Sequence, residues 1–364
     1  MIVKQVTDIL EELAPLAYAE DFDNVGLLVG SPQLEVSGIL VTLDTLENVI
    51  DEAIEKNCNF IVSFHPIIFG GLKKLTGANY VQRVVIRAIQ NNIAIYSMHT
   101  ALDNSNHGVN AKICEILGLK NTKILIPQKG TIKKLSTYVP KNDAEKLKSA
   151  LFEAGAGNIG NYSNCSFTSD GTGSYKAGEK ANPAKGEIGK THYEPETHIS
   201  LTFEKGVEQK VLDALIKNHP YEEVAYELQT LENNNQNIGM GMIGALENAL
   251  AESDFLSLVK EKMNAEGIRH SALLGKKIKK VAVLGGSGAF AISAAKHANA
   301  DIFISADIKY HQFYEAEGEL IIADIGHYET EQFTKNLLVD YLTKKIPNFA
   351  IRLSESKTNP IKYF

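Results

Sequence analysis

Apolar residues in the first third of the chain alternate between two patterns. Ile39-Leu40-Val41 is a continuous run suited to a strand buried on both faces, whereas Ile9 and Leu10 with Leu13 recur at helical spacing. On this basis Leu27–Val29, Gly38–Leu43, Phe60–Ser63 and Ile93–Met98 are predicted strands, and Val3–Leu13, Glu47–Lys56, Tyr80–Asn91 and Gly108–Leu117 predicted helices. The last third repeats the alternation. Strands are expected at Val281–Leu284, Asp301–Ser305, Leu320–Asp324 and Phe349–Leu353, and helices at Ala289–Ala298, Tyr310–Glu317 and Thr330–Lys344. Strands alternating with helices imply βαβ units, here one mostly parallel sheet system built from both ends of the chain.

The middle follows another order. From about Lys133 to Leu231 the predicted elements are strand Leu135–Val139, helix Asp143–Ala154, strand Ser163–Thr168, strand His198–Phe203, helix Val207–Asn218 and strand Ala225–Thr230. This βαββαβ succession is the ferredoxin-like plan. Ser169–Glu196 reads as a long polar loop, and Asn233–Asn237 as a linker. The expected architecture is therefore α/β: a discontinuous two-part α/β domain of residues 1–130 and 233–364, with a ferredoxin-like (βαββαβ) module inserted at 131–232.

Composition narrows the class. A chain of 364 residues exceeds the usual size of one core. With 44% hydrophobic and 22% charged residues it has the balance of an ordinary globular protein. A net charge of -7 without any Lys/Arg-rich run argues against nucleic-acid binding. Cys58, Cys114 and Cys165 form no CxxC pair, and the odd count points to a reducing compartment. No stretch has membrane-spanning length or signal-peptide character, so the expected location is the cytoplasm.

Candidate chemistry sits at the predicted carboxyl ends of the strands, where open α/β sheets place their sites. In order these ends carry Asp44, His65, His99 with Asp103, the run Gly285–Gly288, Asp307 with Lys309 and His311, and Asp324 with His327 and Glu331. Taken singly, each has a structural explanation. A strand-end histidine packs, Asp103 caps a helix, His327 and Glu331 form an i,i+4 surface pair, and the glycines make a tight turn. Asp23 in Glu20–Gly26 is accounted for by Asx-turn chemistry. Taken together, His65, Asp103, His327 and Glu331 supply two imidazoles and two carboxylates, a set for zinc, manganese or ferrous iron, one ion or two. Such ions would polarise a substrate oxygen or nitrogen and acidify a water. Lys309 is a candidate phosphate contact and His311 a candidate proton-transfer group, the alternative being a helix cap with solvated side chains.

The motifs Asp23–Gly30, His65-Pro66-Ile67-Ile68-Phe69, His99–Asp103, Gly285–Gly288, Asp307–His311 and Gly326–Glu331 span the chain. In that order they resemble the GTP cyclohydrolase 1 type 2 homologs, the Nif-three-like dinuclear-metal hexameric family. The resemblance implies a toroidal homohexamer with a two-metal site, with metal-ligand roles for His65, Asp103, His327 and Glu331. It also implies a metal-dependent hydrolase acting on a nucleotide. The alternative is a non-catalytic metal-binding or regulatory scaffold whose inserted module senses a ligand. One departure stands out: such proteins carry two adjacent histidines before this proline, and here the first is Phe64. Phenylalanine cannot ligate, so one of the two metals loses a ligand.

Overall fold

The computed structural model describes residues 1–364. The chain divides into two compact units, one of residues 1–127 with 236–364 and one of residues 128–235. The first unit holds two sheets rather than the single system expected from sequence. Its five-stranded sheet runs in the order Gly26–Val29, Ala94–Ser97, Phe60–Ser63, Ile39–Thr42, Ile351–Leu353. Gly26–Val29 is antiparallel to its neighbour, and the other pairings are parallel. Strands Ile39–Thr42, Phe60–Ser63 and Ala94–Ser97 are buried at every position, which explains their unbroken apolar runs.

The six-stranded sheet has the order Arg269–His270, Ile321–Asp324, Ile302–Ala306, Lys277–Ser287, Asn235–Ala251, Lys120–Gln128. Its centre is parallel, from Lys277–Ser287 through Ile302–Ala306 to Ile321–Asp324. The two sheets exchange one strand each. Ile351–Leu353 from the C-terminal part joins the first sheet, and Lys120–Gln128 from the N-terminal part joins the second. The predicted linker around Asn233–Asn237 is in fact the start of the strand Asn235–Ala251.

One hydrophobic cluster connects the sheets, uniting Val62 and Tyr96 of the first with Val283 and Ile304 of the second. A second cluster packs helices Glu47–Glu55 and Tyr80–Gln90 on the first sheet through Ile50, Ala53, Val84 and Ala88. A third covers the second sheet with Ile292 and Ala295 of helix Ile292–His297. Phe64 is wholly buried in the connecting cluster.

In the second unit, strands and helices follow the order Ile132–Pro140, Ala144–Glu153, Phe167–Lys176, Thr191–Glu204, Glu208–Asn218, Tyr226–Leu231. The sheet order is Phe167–Lys176, Thr191–Glu204, Ile132–Pro140, Tyr226–Leu231, antiparallel throughout. Leu135, Val139, Ile199, Leu201 and Phe203 pack against Leu147, Leu151, Val211 and Leu215 of the two helices. The segment expected as a polar loop is largely a long hairpin, because Ser169 to Lys176 pairs residue by residue with His198 to Thr191. Its polar and glycine-rich character reflects the largely exposed strand Phe167–Lys176 rather than irregular chain.

Candidate metal centre

His65 leaves the strand Phe60–Ser63 after a single residue, and its Nδ1 meets Asp44 Oδ1 at 2.8 Å. Asp44 lies two residues beyond the neighbouring parallel strand Ile39–Thr42, so parallel register sets the two side by side. His327 opens the helix His327–Glu331, and its Nδ1 meets Asp307 Oδ2 at 2.7 Å. His99 opens the helix His99–Asp103, and its Nδ1 meets Asp23 Oδ1 at 2.8 Å. Three histidines thus rest on three carboxylates, each through Nδ1. A carboxylate there fixes the tautomer with the proton on Nδ1 and leaves Nε2 as a lone-pair donor.

Two of those Nε2 atoms converge on one oxygen. Glu331 Oε2 lies 3.1 Å from His65 Nε2 and 3.2 Å from His327 Nε2. The oxygen is sealed from solvent and stands among these two nitrogens without a conventional hydrogen-bond partner. Two lone pairs facing an anionic oxygen at this range repel unless protons or a cation lie among them. Ligands about 2.0–2.1 Å from a tetrahedral zinc stand roughly 3.3 Å apart, close to the spacings seen. His65, His327 and Glu331 present ligand atoms all within 4.8 Å of one another, and so fit a metal ion.

Asp103 stands beside this triad rather than in it. Its Oδ1 is buried without a hydrogen-bond partner, and burial, with the Glu331 charge, holds its carboxyl well above the usual range. Glu331 goes the other way. Burial alone would raise it, but His327 and His65 hold it down to about 2. Burial works against charge on His65, yet Asp44 and Glu331 push it up to about 10. His327, against the same opposition, is pushed up to about 9 by Glu331 and Asp307.

The local backbone is adapted to this arrangement. Six of the nine non-glycine residues with positive φ are asparagines, the usual occupants, while His99 (φ 24°) and Asp307 (φ 56°) are not. Both hold their strained conformations at the cluster. The run Gly285–Gly288, expected as a tight turn, has a further purpose. Gly286 has φ 69°, and a Cβ there would overlap Glu331 Oε1. Its N–H donates to Thr330 Oγ1 at 2.9 Å, and Gly285 N–H donates to Asn110 Oδ1 at 3.0 Å.

The structure brings His65, His327 and Glu331 together, with Asp103 adjoining. It does not bring Lys309 or His311 into the triad. Lys309 is exposed at the start of the 3₁₀ segment Tyr310–Ala316, its N–H accepted by Gln312 Oε1 at 2.8 Å. The His311 ring contacts Tyr310 and Tyr314, at centroid distances of 5.2 and 6.2 Å. Asp23, which the sequence reading assigned to an Asx turn, and Asp307, which it placed at a strand end without a partner, each bind a histidine of the cluster. Asp23 does accept from Asn24 N–H, but it also takes His99 Nδ1 and the Thr100 N–H and hydroxyl. The one available sequence signal was a repeated pairing of an aspartate with a histidine at neighbouring strand ends.

Fold and cluster together define a mixed α/β protein with a histidine–carboxylate group able to hold a metal ion. The chain belongs to the Duf34/NIF3 (NGG1p interacting factor 3) family, whose profile matches residues 1–360. It is 37% identical over 370 aligned positions to the GTP cyclohydrolase 1 type 2 homolog of Bacillus subtilis, covering 99% of this chain and 98% of that one. The homolog of the same name from Staphylococcus epidermidis is 34% identical, with both chains covered in full. Among solved structures, a Bacillus cereus protein related to NIF3 superposes with a TM-score of 0.84 at 34% identity, over 100% of this chain and 99% of that one. No helix is long and apolar enough to cross a membrane.

Proposed function

We propose that the chain is a divalent-metal-dependent hydrolase acting on a nucleotide or related phosphorylated molecule. The observation that carries the metal half is the convergence of two Nδ1-anchored imidazoles on the buried, unpartnered Glu331 Oε2. His65, His327 and Glu331 would hold the ion, zinc by preference or iron or manganese, with Asp103 as the fourth ligand or as support for a second ion. The ion would polarise the substrate and acidify a water. The nucleotide half rests on the name carried by the Bacillus and Staphylococcus relatives. Lys309 and His311 are proposed to act on the substrate, as phosphate contact and proton carrier, from the segment that follows Asp307.

Three further features belong to the same proposal. Residues 131–232 are read as a ferredoxin-like insert in a discontinuous domain, supported by the strand–helix order and the antiparallel sheet of the second unit. The family resemblance supports a toroidal homohexamer, to be checked by light scattering. The cysteine usage supports the cytoplasm.

The test is metal analysis and turnover on one preparation. Metal-loaded protein should hydrolyse nucleotides, and Glu331→Ala should lose both metal and turnover. Lys309→Ala and His311→Ala should lose turnover while keeping the metal. Loaded protein inert across nucleotides and phosphoesters would reject the enzymatic reading. A second reading, a non-catalytic or regulatory metal scaffold, is favoured by Phe64, whose buried ring stands 5.0 Å from His65 and 5.7 Å from His99. If Phe64 costs the protein a second ion, Phe64→His should raise metal content toward two per chain.

A further inference from the structure

The second unit carries a half-open cavity of about 620 Å³, lined by its own residues. It lies on the sheet face that the helices leave open. Along Thr191–Glu204, Ile199 and Leu201 point to the helices, so the alternate residues Glu196 and His198 point to the other side. His198 stacks on its cross-strand partner Tyr138 with centroids 5.0 Å apart and planes at 24°. Tyr175 and Tyr221 complete an aromatic lining, with centroids 5.8 Å apart.

Glu196 is the unusual member. It is only 9% exposed, and its one hydrogen bond comes from the neutral Tyr221 hydroxyl, 2.7 Å from Oε1. Oε2 lies over the backbone of Gly173, where any side chain would collide with it, and takes no hydrogen bond from the protein but is reached by solvent. Nearby cations are committed elsewhere: Lys141 pairs with Asp170 and Lys185 with Glu194. Buried carboxylates are ordinarily matched by a cation, because desolvation without one is costly. Glu222 and Glu223 add negative charge to the lining against the single Lys176.

We propose that this cavity binds a small organic cation, an amine or guanidinium, through the Glu196 carboxylate and the ring faces of Tyr138, Tyr175 and Tyr221. An unmatched buried anion supplies the charge, and the aromatic faces supply cation–π attraction. An anionic ligand would meet the same carboxylates as repulsion. The site is independent of the metal centre.

Calorimetric titration of the full chain with agmatine, in the presence of EDTA, tests it. Saturable binding of one agmatine per chain is expected, with no response to glutarate. Glu196→Gln should weaken binding about thirtyfold or more, and Tyr138→Ala about tenfold. Absence of agmatine binding at millimolar concentration, or glutarate binding equally well, overturns the proposal. So does unchanged agmatine affinity in a Glu196→Gln variant whose circular dichroism is native. If that variant does not fold, unchanged affinity in Tyr138→Ala decides against the site.

Discussion

Uptake of metal by the triad should be a proton-releasing reaction with a steep pH dependence. In the metal-free protein His65 is pushed up to about 10 and His327 to about 9, burial opposing and the carboxylates Asp44, Asp307 and Glu331 prevailing. At pH 7 both rings therefore carry a proton on each nitrogen, and the Nε2 protons occupy the position a metal would need. Each must leave on binding, so about two protons are released per ion, with Asp103, held well above its ordinary value, able to add a third. Competition by a proton costs a factor of ten for each pH unit below the pKa. The apparent association constant should accordingly rise about a hundredfold per pH unit, or roughly 10⁴-fold between pH 6 and pH 8. Above pH 9 the first proton has gone, and the slope falls toward one and then zero. The same shifts make the metal-free fold more resistant to unfolding at low pH. That contribution is complete below the unfolded histidine value near 6.5 and is lost as pH rises through 9 to 10. Zinc titration by calorimetry in two buffers of different ionisation enthalpy gives the proton count directly. A release below half a proton, with a flat affinity profile from pH 6 to 8, would refute the reasoning by showing that both Nε2 atoms are already bare.

Other substitutions separate the metal centre from the scaffold. Gly286→Ala should lower metal affinity at least tenfold by displacing Glu331, and cost about 1–2 kcal/mol of stability from its left-handed backbone, measured by chelator competition and urea unfolding. Asp103→Asn replaces a buried carboxyl, held well above its ordinary range, that would have to lose its proton to serve a metal; chelated protein should melt at nearly the same temperature, while metal affinity falls. Glu52 accepts from Ser354 Oγ at 2.7 Å, Glu355 N–H at 2.9 Å and Lys56 Nζ at 2.8 Å, pinning the chain after the last strand. Burial would raise its carboxyl, but these donors hold it at about 2. Its contribution is present above the unfolded value near 4.5 and disappears as pH falls toward 2. Glu52→Gln should cost about 3 kcal/mol at pH 7, and the gap from the unsubstituted protein should close in acid, followed by denaturant unfolding at several pH values.

Much of this was legible from the chain itself. The buried parallel strands announced themselves as unbroken runs such as Ile39-Leu40-Val41, and their carboxyl ends then named His65, His327 and Glu331. The exchange of edge strands was not, because which sheet Ile351–Leu353 joins is decided by packing far along the sequence rather than by its own residues. Lys120–Gln128 and Asn235–Ala251 escaped notice although each has an apolar centre, because the run Ile124-Leu125-Ile126 is short and flanked by polar residues and Pro127, and Gly239, Gly241 and Gly244 interrupt the second. At the site, Asp23 looked like a turn residue since its local bond to Asn24 is real, while its bond to His99 depends on a strand pairing invisible in one dimension. Gly286 looked like a turn glycine because the carboxylate that requires it lies in another helix.

The exchanged strands also govern when the protein can take shape during synthesis. Ile39 pairs with Ile351, so the first sheet keeps an open parallel edge until the more than three hundred residues between them have been made. His65 waits for Glu331 over nearly the same interval. Contacts this remote in sequence close slowly, and an uncovered strand edge in the meantime is an invitation to mispairing. Nascent chains arrested shortly before Ile351 should therefore be the stage most dependent on chaperones, and the final strand the latch that ends that dependence.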